Sequence, residues 1–533
     1  VLKPKLVTAR DVVKTIKDGS TFAVTGMTMM GIAEEIFKEM ERAFLEEDRP
    51  KNLTLLHPAG FSDRIGGIEH LAHEGLLRRI VGSHWGLAPK IMNLIADNKV
   101  EAYCMPFGIL CNIFHDMSAR RPGSISPIGL NTFIDPRYEG GKMNEISKDD
   151  MVELINLDGE DYLRFRHIPI DTLIIRGTYA DEDGNISCRD EAIKMEILAA
   201  ALAVKRWGGK VIVQVKRIVR NGAIPAKEVE IPGIYVDYVV VCEHPEENHR
   251  QSGGWYQDDS FAGLVQVPSG GSPIANIPLN ERKVIVRRAA MEMRPNAIIN
   301  VGTGIPTDSM GPILAEENLQ DCVSLTVESG VYGGIPAGGG DFGASQNPSA
   351  LIPQNQQFDL YNGRGVDFTF MGSGEMDAEG NVNATRMGNI APGCGGFIDI
   401  TGIAKTVVFC STFTTKGLKV SFSESEGLII HQEGSVIKMK KKVTQVSYNG
   451  KYNTGKGQRT LFVTERAVFE ITPDGPVLIE IAKGIDLQRD VLALMEFEPI
   501  ISNHLSLINA EIYKDGPFGL SKYFKLNEQQ YHN

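Results

Sequence analysis

A glutamate that ends a short apolar run and is followed at once by glycine is the residue of this chain best suited to covalent chemistry. In Leu325-Thr326-Val327-Glu328-Ser329-Gly330-Val331-Tyr332-Gly333-Gly334, the run Leu325–Val327 reads as a strand that delivers one carboxylate to a glycine-rich turn. A parallel α/β sheet binds its ligands beyond the carboxyl ends of its strands, which makes this a ligand edge. A glutamate with an ordinary pKa of about 4.3 is ionised at neutral pH and can attack an activated acyl group. Gly330, Gly333, Gly334, Gly338, Gly339 and Gly340 leave room for a bulky ligand to approach the backbone. The competing reading is a solvated strand end or a helix cap.

Two more glycine loops belong beside it. Gly302-Thr303-Gly304-Ile305-Pro306-Thr307-Asp308 follows the apolar run Ala297–Val301 and precedes a helix, so its amides and the helix N-terminus can face an anion. It is no dinucleotide fingerprint, because a third glycine is missing, and the chain has no G-x-x-x-x-G-K-[ST]; a tight structural turn stays equally open. The third loop is Ala391-Pro392-Gly393-Cys394-Gly395-Gly396-Phe397-Ile398-Asp399, which also reads as a turn before the next strand. His57, His84 and His115 are candidate general bases, although packing and surface placement are the commoner fates of histidine.

The elements that must position these loops repeat. Thr8 and Asp11 form a capping box for a short helix, Thr21–Thr25 reads as a strand, and Ile32, Ile36, Met40 and Phe44 recur every four residues on an amphipathic helix. The second half begins again with Asn280 before a helix and the run Ala297–Val301. Both halves later present a D-x-[DE]-G-N turn, at Asp181–Asn185 and Asp377–Asn381; its glycine falls at position four rather than the position six of a calcium loop, so these read as turns. Gly26 to Asp181 spans 155 positions and Gly302 to Asp377 spans 75, so the first half holds about 80 extra residues, placed at about 86–170.

Thr172–Ile175, Val211–Val215, Tyr238–Val241, Leu325–Val327, Thr406–Phe409 and Leu461–Val463 are short branched runs interleaved with helices. They predict two related open α/β domains with mainly parallel sheets, as duplicated halves. The Gly/Pro/Ser-rich stretch Val265–Pro278 is the expected linker, with domains at 1–275 and 276–533.

The chain of 533 residues, 42% hydrophobic and 23% charged, is ordinary for a globular protein. Its formal net charge of −12 argues against nucleic acid as a partner. Windows such as Ser20–Ala33 and Pro295–Thr307 are uncharged but punctuated by Gly, Thr or Asn, so no membrane span is expected. Seven cysteines without a C-x-x-C pair predict reduced thiols in a cytoplasm, and no metal site. Lys3, Lys5 and Arg10 flank no apolar core of a secretory signal.

Taken in order, these segments resemble family I coenzyme A transferases in their single-chain form, where two subunit types are fused, as in acetate or propionate coenzyme A-transferases. Val327-Glu328-Ser329-Gly330 with Gly333-Gly334 is similar to the family's glutamate motif, whose commoner form is Ser-Glu-Asn-Gly. Asp18-Gly19 through Gly26 and Gly31 is a loose version of its amino-terminal glycine signature, with Ala33 where a Pro is expected. His84-Trp85-Gly86, Phe133–Arg137, Gly395–Asp399 and Thr464–Phe469 resemble further segments of the single-chain members.

The resemblance implies a metal-independent ping-pong transfer of coenzyme A from a short-chain acyl-coenzyme A to a small carboxylic acid, through a thioester on Glu328. It implies an oxyanion-binding amide at Gly396, a coenzyme-holding loop at Gly302, Thr303, Gly304, Ile305 and Pro306, and Pro392 along the coenzyme's path. Coenzyme A would be substrate and covalent intermediate, with no tightly bound cofactor, and a homo-oligomer is expected. One departure is Phe107, in Pro106-Phe107-Gly108, where members present a glutamine toward the acyl oxygen. Phe donates no hydrogen bond, so either backbone amides suffice, or Phe107 narrows and dries the pocket, or it packs in the core. Met27, Met29, Met30 and Phe107 are candidate pocket walls. A coenzyme A thioester hydrolase and a non-catalytic coenzyme- or metabolite-binding regulator on the same architecture are the alternatives.

Overall fold

The computed structural model describes residues 3–268 and 277–532, so the expected boundary at 275 and most of the Val265–Pro278 linker lie outside the described residues. The first half is built on an eight-stranded, wholly parallel sheet. Its order is Lys5–Val7, Tyr238–Val241, Lys210–Val215, Thr172–Arg176, Thr21–Val24, Leu53–His57, Leu77–Gly82 and Glu101–Cys104. Strands such as Leu53–His57 and Thr172–Arg176 are buried along their whole length, because helices cover both faces.

The second half centres on five parallel strands ordered Ser324–Val327, Ile298–Val301, Phe368–Gly372, Thr406–Cys410 and Arg459–Val463. This matches the order of Leu53–His57, Thr21–Val24, Thr172–Arg176, Lys210–Val215 and Tyr238–Val241 in the first. The duplication read in the sequence is therefore one of topology. The paired turns share their chemistry too. Asp181 Oδ1 accepts from the amides of Asp183 and Asn185 at 3.0 and 2.9 Å, and Asp377 Oδ1 accepts from Glu379 and Asn381 at 3.0 and 3.0 Å. Each carboxylate is engaged by its own turn, the Asx arrangement that short polar side chains favour.

The halves differ at their edges. The second sheet continues into Ala467–Thr472 and Gly475–Ile481, which are antiparallel, and ends on the exposed strand Ile500–Leu507. Within residues 86–170 the chain adds a parallel edge strand, Glu101–Cys104, the helix Phe107–Ser118, and an antiparallel trio of Ser124–Ser126, Glu160–Phe165 and Val152–Leu157. That helix packs against Gln354–Asn362 of the second half, and the larger hydrophobic core runs through both halves. A cavity lined by residues of both halves lies in this junction. No helix among the described residues is long and apolar enough to cross a membrane.

Candidate active site

Glu328 directly follows the strand Ser324–Val327, whose last three residues are buried, so the sheet fixes the height of its backbone. Its half-buried carboxylate lines a cavity of about 360 Å³. The wall opposite comes from residues 83–85, which pair with the 392–395 loop: Gly395 N–H donates to Ser83 O at 2.9 Å and Trp85 N–H to Pro392 O at 2.6 Å. The amide of Phe107 donates to Gly395 O at 3.0 Å, adding the helix Phe107–Ser118 to the same seam. Two short backbone ladders thus carry the loop to the carboxylate.

The loop ends at Gly396, which begins the helix Phe397–Ile403 rather than the strand expected there; the strand Thr406–Cys410 follows only after that helix. A Cβ on Gly396 would overlap the Glu328 carboxylate, so glycine is required for this approach. Asp399, on the same helix and wholly buried, accepts from Gly108 N–H at 3.1 Å and from the Asn362 side-chain amide at 3.1 Å. Burial, and then the nearby charge of Asp399, push the Glu328 carboxyl up to about 8, against an opposing hydrogen bond from the Gly396 amide. Burial likewise pushes Asp399 up to about 7. The ordinary glutamate pKa assumed from sequence does not hold for this site: burial and the neighbouring carboxylate shift Glu328 toward its protonated form. A strand-end carboxylate becomes perturbed only when remote segments exclude water from it.

Comparison with known proteins adds the family. The model for "Coenzyme A transferase" matches residues 6–242. The caffeate CoA-transferase of Acetobacterium woodii is 40% identical over 522 residues, covering 97% of this chain and 98% of that protein. The acetate CoA-transferase YdiF of Escherichia coli (strain K12) is 37% identical over 524 residues, covering 96% of each. The chain belongs to the coenzyme A transferase family.

The crystal structure of the YdiF apoenzyme from Escherichia coli O157:H7 superimposes with a TM-score of 0.91 at 36% identity, over 97% of both chains. A second structure of that enzyme is a thioester complex with CoA and matches equally, with a TM-score of 0.91. The present chain is accordingly a coenzyme A transferase with the open α/β fold read from its sequence.

Of the residues singled out in the sequence, Glu328, Gly396, Gly302 and Thr303 line the cavity together. Gly304, Ile305 and Pro306 continue the second loop into the helix Ile305–Glu316 without lining it, and Pro392 sits just behind Gly393. Met27 and Phe107 are cavity walls; Met29 and Met30 pack in the core instead. Phe107 is fully buried, edge-on to Phe358 at 4.7 Å between ring centroids, so it both packs and narrows the cavity. The glycines after Glu328 serve mostly to turn the chain, and only Gly339 of that set reaches the cavity. His57 is spent on packing: Trp85 Nε1 donates to its Nε2 at 3.0 Å and its Nδ1 meets Ala59 O at 2.6 Å. His115 is on the exposed side of its helix, whereas His84 lines the cavity. Sequence reasoning quoted Asp399 only as the end of a motif and missed its electrostatic place beside Glu328; a lone acid one helical turn beyond Gly-Gly was the available signal. Among the described residues no group of three or more His, Cys, Asp or Glu is placed to hold a metal ion.

Proposed function

We propose that this enzyme moves coenzyme A between short carboxylic acids by a ping-pong route through a glutamyl thioester on Glu328. The observation that carries the reading is the Glu328 carboxylate lying against the Gly396 amide inside a desolvated cavity. In its anionic form Glu328 attacks the acyl carbon of an acyl-coenzyme A. The C–S bond breaks, leaving an acyl-glutamyl anhydride and the coenzyme thiolate. The thiolate adds to Glu328 Cδ and expels the first carboxylate; a second carboxylate reverses both steps. No net proton is taken up. Each addition places negative charge on a carbonyl oxygen, and the Gly396 N–H is positioned to serve the oxygen on Glu328 Cδ, an interaction worth about 3 kcal/mol of barrier.

Gly302, Thr303, Gly304, Ile305, Pro306 and Pro392 hold the coenzyme in this reading, supported by Gly302 and Thr303 at the cavity wall. The relatives are named for acids as different as acetate and caffeate. A small acid is favoured here because Met27, Phe107, Phe342 and Phe397 wall a cavity of about 360 Å³ that must also admit the thiol end of the coenzyme. A reducing, cytoplasmic setting fits the seven free cysteines. Homo-oligomeric assembly belongs to the same reading and is checked by light scattering.

The test is intact mass after incubation with acetyl- or propionyl-coenzyme A and no acceptor, with peptide mapping and a Glu328→Ala control. A borohydride-sensitive coenzyme adduct on Glu328 supports the route. No adduct across several acyl lengths, with the coenzyme still bound, sinks it. Turnover that proceeds without any acceptor acid would instead mark a hydrolase.

A further inference from the structure

The ping-pong route forms two tetrahedral centres on different carbons, first on the substrate's acyl carbon and then on Glu328 Cδ. Gly396 lies at Glu328, so the acyl oxygen needs a donor of its own. Phe107 supplies none. The other polar side chains around the cavity are already engaged or out of reach. Ser83 Oγ donates to Pro58 O, and Thr28 Oγ1 donates to Met27 O at 2.7 Å. Asn300 donates to Tyr361 at 3.1 Å and accepts from Thr369 at 3.1 Å. Ser373 Oγ is unpartnered but sealed in protein, and Thr303 is exposed to solvent.

His84 is different. Its ring sits in a slot between two glycines: a Cβ on Gly60 would stand 2.8 Å from Nδ1, and one on Gly86 would stand 2.7 Å from Cε1 and 2.8 Å from Nε2. Its backbone bridges to Gly393 of the loop that carries Gly396. Neither ring nitrogen has a hydrogen-bond partner among the described residues, neither is sealed in protein, and the residue lines the cavity, so the ring offers an unspent donor there. His57, nearby, has both nitrogens satisfied.

We propose that His84 donates one ring N–H to the acyl oxygen of the bound thioester, and to the acceptor's carboxylate oxygen in the reverse half-reaction. Burial holds the imidazole down to about 4, so at neutral pH it is an uncharged donor that needs no proton exchange with solvent. It stabilises the first oxyanion where Gly396 stabilises the second.

The inference rests on the Glu328 route, so wild-type adduct formation is measured first. Quenched single-turnover mass spectrometry then gives the rate of coenzyme transfer to Glu328 in wild type, His84→Ala and His84→Asn. His84→Ala should slow adduct formation about 100-fold, with coenzyme binding and thermal midpoint unchanged. His84→Asn keeps an N–H donor and should stay within about 10-fold of wild type. His84→Phe fills the ring slot without a donor, and should match His84→Ala; it replaces that variant if alanine fails to fold. A donor-free variant with wild-type rate overturns the proposal, as does an Asn variant as slow as Ala or Phe. Absence of the wild-type adduct overturns the Glu328 route and this inference with it.

Discussion

The carboxylate of Glu328 rests on the backbone of Gly396, in a gap with no space for a methyl group. At Gly396 φ is −84° and ψ is 2°, a conformation open to alanine, so Gly396→Ala leaves the backbone unstrained and acts chiefly on the carboxylate, with a lesser contact to Phe358 Cζ at 3.2 Å. Displacing a reacting group by about 1 Å costs about 100-fold in rate. Steady-state turnover of Gly396→Ala should fall by about that factor while the thermal midpoint stays within a few degrees. Wild-type turnover would show that the carboxylate does not react from this position.

The charge of Asp399 is the second cause of the raised Glu328 pKa, after burial. In the proposed route only the anion attacks, so kcat/KM for the acyl-coenzyme A should rise with pH along a limb near 8. Asp399→Asn removes a like charge, lowers the Glu328 pKa, and should move that limb to lower pH. An unmoved limb would mean that the two carboxyls are not electrostatically linked.

Glu328 also makes stability depend on pH. Below about pH 4 its carboxyl is protonated in both folded and unfolded chains and has no effect. As pH rises toward 8, the unfolded chain gives up the proton while the folded one holds it, and stability is progressively lost. Glu328→Gln should therefore be more stable than wild type by about 1–3 kcal/mol at pH 9, after allowance for water in the cavity, and equal to it near pH 4. Denaturant melts at both pH values measure this; a constant difference would refute it.

Phe107 closes the cavity against Phe358. Truncation to alanine removes a fully buried aromatic side chain and should cost about 3–5 kcal/mol of stability. The space released opens into the cavity that Glu328 lines, so relative kcat/KM should shift toward bulkier acyl groups. An acid panel of increasing size checks the shift, and an unchanged ranking would place the acyl group elsewhere.

The parts of this site that could be read from residue order are those with local causes. Leu325–Val327 is apolar and branched, and glycine follows Glu328 closely, so strand and turn were evident. Asp181 and Asp377 close their own turns within four residues, which is why the repeat survived as a visible motif. The strands Leu53–His57, Leu77–Gly82 and Glu101–Cys104 were not picked out, because a short buried run has no period to separate it from a buried helix. Met27, Met29 and Met30 illustrate the same limit: three near neighbours of one type divide between cavity wall and core according to partners far along the chain.

Residue order was enough to place a carboxylate at the end of a buried strand, to name glycine loops that meet it at one cavity, and to reveal two α/β halves, because strand, turn and motif depend on neighbours in sequence. Folding decided the state of that carboxylate and its company. Gly108 and Asp399 meet across 291 positions, and Ser83 pairs with Gly395. The water these contacts exclude raises the pKa of Glu328, leaves His84 uncharged, and makes Phe107 a wall. Desolvation and charge proximity sum over every atom within a few ångströms, whatever its place in the chain, and they exist only once the halves have closed on each other.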